Sequence, residues 1–97
     1  MDQRGGKMDD KMPKKYRIEI NPDEPLYVIS ITSEMVGIPI WTLRKLDEFG
    51  IVCPGRRGKK TRCYTQKQLK VLSYVSYLMQ EKRVNISGIK MILKLDG

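Results

Sequence analysis

Gly37, Pro39 and Gly50 cut residues 30–50 into two short stretches, and that punctuation restricts the fold more than any other feature of the chain. Ser30 offers a hydroxyl that can accept from the first backbone amides of a helix. A helix from there to about Val36 stops at Gly37, a residue type that tolerates the left-handed backbone following a last turn. Pro39 suits a first helical turn, because the N–H it lacks would find no partner there. A second helix then runs from about Pro39 to Phe49 and ends at Gly50. Two short helices around a glycine-bearing turn form a helix-turn-helix corner.

The residues that follow add a second element. Ile51 to Pro54 and Thr61 to Tyr64 are β-prone pieces flanking Gly55-Arg-Arg-Gly-Lys-Lys60, which predicts a hairpin with a cationic tip, a wing. Thr65 and Gln68 have the spacing of a capping box. A third helix is expected over Gln66 to Lys82, with Leu69, Leu72, Val75 and Met79 on its apolar face and Val71 and Leu78 beside them. Asn85 or Ser87 opens a fourth helix, in which Ile89, Ile92 and Leu93 share one side. Before all this, residues 1–24 read as a flexible basic tail punctuated by Gly5-Gly6, Pro13 and Asn21-Pro22. The alternation in Tyr16 to Ile20 suggests one short strand there. Residues 25–97 then form one mainly α domain, a winged helix-turn-helix of about four helices and a small hairpin.

Charge narrows the partners. Nineteen Lys and Arg against 11 acids give +8 on 97 residues, which favours phosphate-bearing partners, nucleic acid before membrane surfaces. No stretch reaches the roughly 20 apolar residues of a membrane span, and Met1 to Lys15 lacks the apolar segment of a secretory signal. A cytoplasmic address follows. Two cysteines and no histidine make neither a disulfide framework nor a four-ligand zinc site, and they remove the commonest general base. Cys53 and Cys63 are expected to be small buried residues on the two wing strands. Asp47-Glu48 is a carboxylate pair in sequence only, since neighbouring helix residues point apart. No catalytic, metal or cofactor site is expected.

With Leu43 and Leu46 inward, Trp41, Arg44, Lys45 and Glu48 share another face of the second helix. A helix fits the major groove, where Arg can pair bidentately with guanine, so Arg44 is the leading base or phosphate contact. Trp41 is either a contact on that face or a core or rim residue. Glu48 lies either at the edge of the face or accepts from cytosine N4. Arg56, Arg57, Lys59 and Lys60 in the wing supply cations for phosphates. Arg62 can bind phosphate too, and Tyr64, two residues on, either donates its hydroxyl or packs beneath the wing.

Tyr27-Val-Ile-Ser-Ile-Thr-Ser-Glu-Met-Val-Gly-Ile-Pro-Ile-Trp-Thr-Leu-Arg44 resembles the opening of MerR-family DNA-binding domains, as do Gly50-Ile51 and the wing exit Arg62-x-Tyr64. The resemblance covers residues 26–95, and it adds Thr42 to the candidate DNA-binding set. Val84 to Lys90 and Ile92 to Leu95 look most like the family's heat-shock repressor branch. It implies a double-stranded-DNA-binding transcription regulator, a repressor on the bacterial nucleoid, with two copies meeting on an inverted-repeat operator. The family's long dimerising helix and effector domain have no counterpart in the sequence, so a monomer in free solution and no small-molecule effector are expected. Lys45 and Leu46 stand where the family usually has tyrosines, which changes the expected sequence preference. The competing reading is a protein-interaction adaptor built on the same fold.

Overall fold

A stripe of Leu69, Leu72, Val75 and Leu78 along one long helix is the surface on which the other elements pack. A computed structural model describes residues 11–58 and 61–96, including their side chains except those of Arg57, Leu95 and Asp96. Among the described residues the α-helices are α1 (Ile29–Val36), α2 (Ile40–Glu48), α3 (Gln66–Gln80) and α4 (Ile86–Asp96). Three short strands, β1 (Tyr27–Val28), β2 (Gly55–Arg57) and β3 (Thr61–Tyr64), form an antiparallel sheet in the order β1-β3-β2. The fold is therefore the mainly helical winged helix-turn-helix that the sequence implies. The sheet has one strand more than a hairpin, because Tyr27 and Val28 pair with Tyr64 and Cys63 on the second edge of β3.

That pairing overturns the expected start of the first helix. Val28 is extended and still paired to Cys63, so α1 begins at Ile29 with no side-chain cap, and Ser30 lies inside it. A hydroxyl anchors the junction instead: buried Thr32 donates from Oγ1 to the Tyr27 carbonyl at 3.2 Å. Gly37 does end α1 in the left-handed conformation, at φ 73°. The turn after it is fixed by two donors, Ser33 Oγ to the Ile38 carbonyl at 2.6 Å and Gln80 Nε2 to the Gly37 carbonyl at 3.0 Å.

The first wing strand is also displaced. Ile51 to Pro54 is not a strand; β2 begins at Gly55. The Ile51 and Val52 amides both donate to the Leu46 carbonyl, at 2.8 and 3.4 Å, and Val52 is buried, so these residues close the end of α2 and plug the core. Tyr16 to Ile20 is no strand either. One 3-10 turn occupies Lys14–Tyr16, and Ile18 is 85% exposed. An isolated alternating segment has no ladder to join unless an edge is offered to it. Closer to the domain, the chain is tied down by the Lys67 amide donating to the Pro22 carbonyl and the Leu26 amide donating to the Tyr64 carbonyl.

Helix α3 starts with a full capping box: Gln68 N donates to Thr65 Oγ1 and Thr65 N donates to Gln68 Oε1, both at 3.0 Å. It ends at Gln80, two residues early, because Arg83 takes a left-handed backbone (φ 57°) and the Val84 amide turns back to the Leu78 carbonyl. Asn85 opens α4 by accepting from the Gly88 amide at 2.9 Å. Leu43, Leu46, Leu72, Val75 and Ile89 are fully buried where the helices meet. Leu46→Ala should therefore cost about 2–5 kcal/mol of stability through a cavity between α2 and the core. Urea unfolding measures it directly, and a loss below about 1 kcal/mol would mean that α2 is not held by this contact.

Candidate nucleic-acid interface

Helix α2 is amphipathic, and burying Leu43 and Leu46 turns Arg44, Lys45 and Glu48 outward. Its last turn faces β3. Between them lies a cleft of about 550 Å³ lined by Arg44, Asp47 and Glu48 from the helix and Thr61, Arg62 and Tyr64 from the strand. Arg44 and Arg62, far apart in sequence, thus share one concavity. Trp41 is 68% exposed but lies elsewhere, beside a separate apolar hollow formed with Ile38, Pro39, Met79 and Gln80. Residues expected to share one face of the helix are therefore divided between two sides. Arg44 and Glu48 look toward the wing, and Trp41 looks toward the end of α3.

On the wing, Arg56 is exposed and stands opposite Arg62 in the β2–β3 ladder. Arg56 and Arg57 belong to the strand and not to the tip. Gly58, at φ 71°, supplies the left-handed step into the turn. Lys59 and Lys60, expected at that tip, lie outside the described residues, as does the side chain of Arg57.

Two candidate contacts prove to be interior. Thr42 is 3% and Tyr64 1% exposed, so both pack largely beneath the surface; Tyr64 contributes to the floor of the cleft and Thr42 to the hollow beside Trp41. The cysteines separate as well. Cys63 is buried in β3, whereas Cys53 is exposed and precedes β2, contrary to the expectation of two buried residues. The chain must pass outward at Cys53 to reach β2 after Val52 has entered the core.

Asp47 is the residue that sequence reasoning missed. Its carboxylate accepts from Arg62 Nη1 at 2.9 Å. Its carbonyl accepts from Cys53 Sγ at 3.6 Å, and the Cys53 carbonyl accepts from Gln68 Nε2 at 2.6 Å. Partial burial and the neighbouring Asp47 push the Cys53 thiol up, which keeps it protonated as a donor. The available signal was Asp47 lying three residues after Arg44, on an adjoining part of the same helix face. Arg62 and Asp47 keep 56% and 26% of their side-chain surface, and a pair so exposed contributes only ~0–1 kcal/mol to stability.

Residues 27–96 match the model of the MerR HTH family regulatory proteins. A curated protein of Streptomyces coelicolor, described as a heat shock protein HspR, is 35% identical over 79 residues, which is 81% of this chain and 52% of that protein. The chain thus spans about half the length of the curated relative it matches. Among the described residues, no helix is long and apolar enough to cross a membrane.

Burial first, then Asp47 and Cys53, push the Tyr64 phenol from 10.0 up to about 12, against the opposing effect of Arg62. The native state then keeps its proton where the unfolded chain loses it. The resulting stability is complete below pH 10.0 and falls as pH rises from there toward about 12. In Tyr64→Phe this part of the alkaline loss should vanish. Urea midpoints of the two proteins measured against pH check this, and parallel curves would show that Tyr64 does not carry it.

Proposed function

The chain belongs to the MerR HTH family of DNA-binding regulatory proteins, and we propose that it is a sequence-specific transcription regulator, a repressor, that reads double-stranded DNA through α2 and grips the backbone through its wing. The observation that carries this reading is the presence of Arg44 and Arg62 on the walls of one cleft between helix α2 and a basic hairpin. A helix of this size enters the major groove, and cations on the hairpin reach the flanking phosphates. Arg44 is the base-reading candidate; Lys45, Arg56, Arg57, Lys59, Lys60 and Arg62 bind phosphate. Trp41, on the far side of α2, touches the DNA at the groove edge. Two copies bind an inverted repeat, so that two half-sites add their energies. Such a regulator acts in the bacterial cytoplasm, on the nucleoid.

Selection of bound sequences from random DNA tests this. An enriched inverted repeat supports it; no enrichment, with little DNA binding at physiological salt, would favour a protein adaptor instead. On the enriched site Arg44→Ala should cost on the order of 1–3 kcal/mol, with a smaller loss on random duplexes. Equal losses would make Arg44 a phosphate contact. Replacing Arg57 and Lys59 together with Ala should weaken binding to all sequences alike. It should also lower the slope of log K against log salt by roughly 0.9 for each phosphate that is no longer neutralised. An unchanged slope would mean that the wing does not touch the backbone.

A further inference from the structure

We propose that Asp47 is a positioning residue of this interface: its carboxylate holds the Arg62 guanidinium in the cleft and so fixes the spacing between α2 and the wing, which sets sequence selectivity. The inference rests on the DNA-binding reading and adds a residue to it.

A carboxylate on a surface that meets phosphate carries an electrostatic penalty. Asp47 nevertheless sits inside the cleft, bonded to Arg62 at 2.9 Å. Three observations give it a task. Arg62 stands directly opposite Arg56 in the ladder, and facing like charges on paired strands repel. Asp47 offsets that repulsion at its own end. Arg62 also stays 56% exposed while it is held. A guanidinium has five N–H donors in a rigid fork, and the bond to Asp47 occupies Nη1 alone, so the rest remain for a phosphate oxygen. Finally, the Asp47 backbone belongs to the same junction. Its carbonyl accepts from Cys53, whose own carbonyl accepts from Gln68 in the first turn of α3. The end of α2, the approach to β2, strand β3 and the start of α3 are thus linked around one residue. With the link made, reader and wing meet the DNA at one spacing. Without it, each can contact phosphates separately, and discrimination between sequences falls.

The sign of one substitution separates this role from simple repulsion. Asp47→Asn removes a negative charge, so electrostatics alone would tighten binding to every DNA. Positioning predicts the reverse on the selected site. Affinities are measured on a site enriched from random DNA and on a random duplex of equal length, for the wild type, Asp47→Asn, Asp47→Glu, Arg62→Lys and the Asp47→Asn/Arg62→Lys double variant. Asp47→Asn should lose about tenfold on the enriched site and none on the random duplex, where it can gain. Arg62→Lys keeps the charge but loses the fork and should behave alike, with the double variant no worse than either single one. Asp47→Glu, which keeps the carboxylate, should recover most of the selectivity. Thermal unfolding should show melting temperatures within a few degrees of the wild type for all variants, as expected for a half-exposed pair. Tighter binding of Asp47→Asn to both DNAs, equal weakening on both, or additive losses in the double variant would overturn the proposal. A wild-type protein that prefers no sequence would overturn the DNA-reading itself, and this inference with it. A selective wild type with an equally selective Asp47→Asn would overturn the positioning role alone.

Discussion

Strand β3 is hydrogen-bonded on both edges, and Cys63 at its centre faces Val28 on one side and Gly55 on the other. So short a sheet would not stand alone. Burying Cys63 and Tyr64 against the helices gives β3 the anchorage that its few ladder bonds cannot. Once β3 is placed, its neighbours have little freedom. The register with β1 sets the residue at which α1 starts, the register with β2 sets where the wing leaves the body, and Thr65, directly after the strand, caps α3. Helix α2 inherits its position from both directions. It packs through Leu43 and Leu46 onto the core, and through Asp47 it meets Arg62 on the same strand.

Polar ties complete what apolar packing leaves loose. Leucines in a core specify that α2 is buried on one side, but they permit small rotations about its axis and slides along it. Hydrogen bonds from Ser33 and Gln80 fix the carbonyls of Ile38 and Gly37 at the start of α2, and the Arg62, Cys53 and Gln68 bonds fix its end. Each tie is worth little in stability, about 1 kcal/mol or less. Their value is directional. A helix that is to read base edges must hold its side chains to within a fraction of an ångström, and apolar contact alone does not provide that.

The elements readable in the sequence were those whose signals are local. Gly37 after a short apolar stretch, the Thr65–Gln68 capping box and the stripe from Leu69 to Leu78 each declare a helix boundary or face through neighbours in the chain, and the structure has them. The errors arose where a distant partner decided. Ser30 is a good cap in isolation, but Val28 pairs with Cys63 and moves the helix start upstream. Ile51 and Val52 have strand propensity, yet the Leu46 carbonyl takes their amides and the core takes Val52. Tyr16 to Ile20 alternates well but meets no edge. For the candidate site, the outward placement of Arg44 and Lys45 followed from the helical period. The burial of Tyr64 matches one of its two expected placements, that of Thr42 was not foreseen, and the Arg62–Asp47 bond spans 15 positions, a separation at which a single sequence holds no record of contact.

The distribution of charge in the cleft bears on how such a domain discriminates. Cations alone make a protein adhere to any duplex, because counterion release is indifferent to sequence. Selectivity requires that the attraction be conditional on geometry, and a repulsive element placed beside the attractive one makes it so. Here Asp47 and Glu48 line the same cleft as Arg44 on the helix and Arg62 on the strand. On the proposed reading, a duplex that seats α2 in its groove satisfies both arginines and leaves the acids facing base edges or their own partners. A duplex that is merely nearby meets the acids together with the arginines and gains less. On the proposed reading, removing the Asp47 carboxylate leaves attraction to random duplexes intact or stronger while it weakens binding to the selected site, so the difference between one sequence and another shrinks.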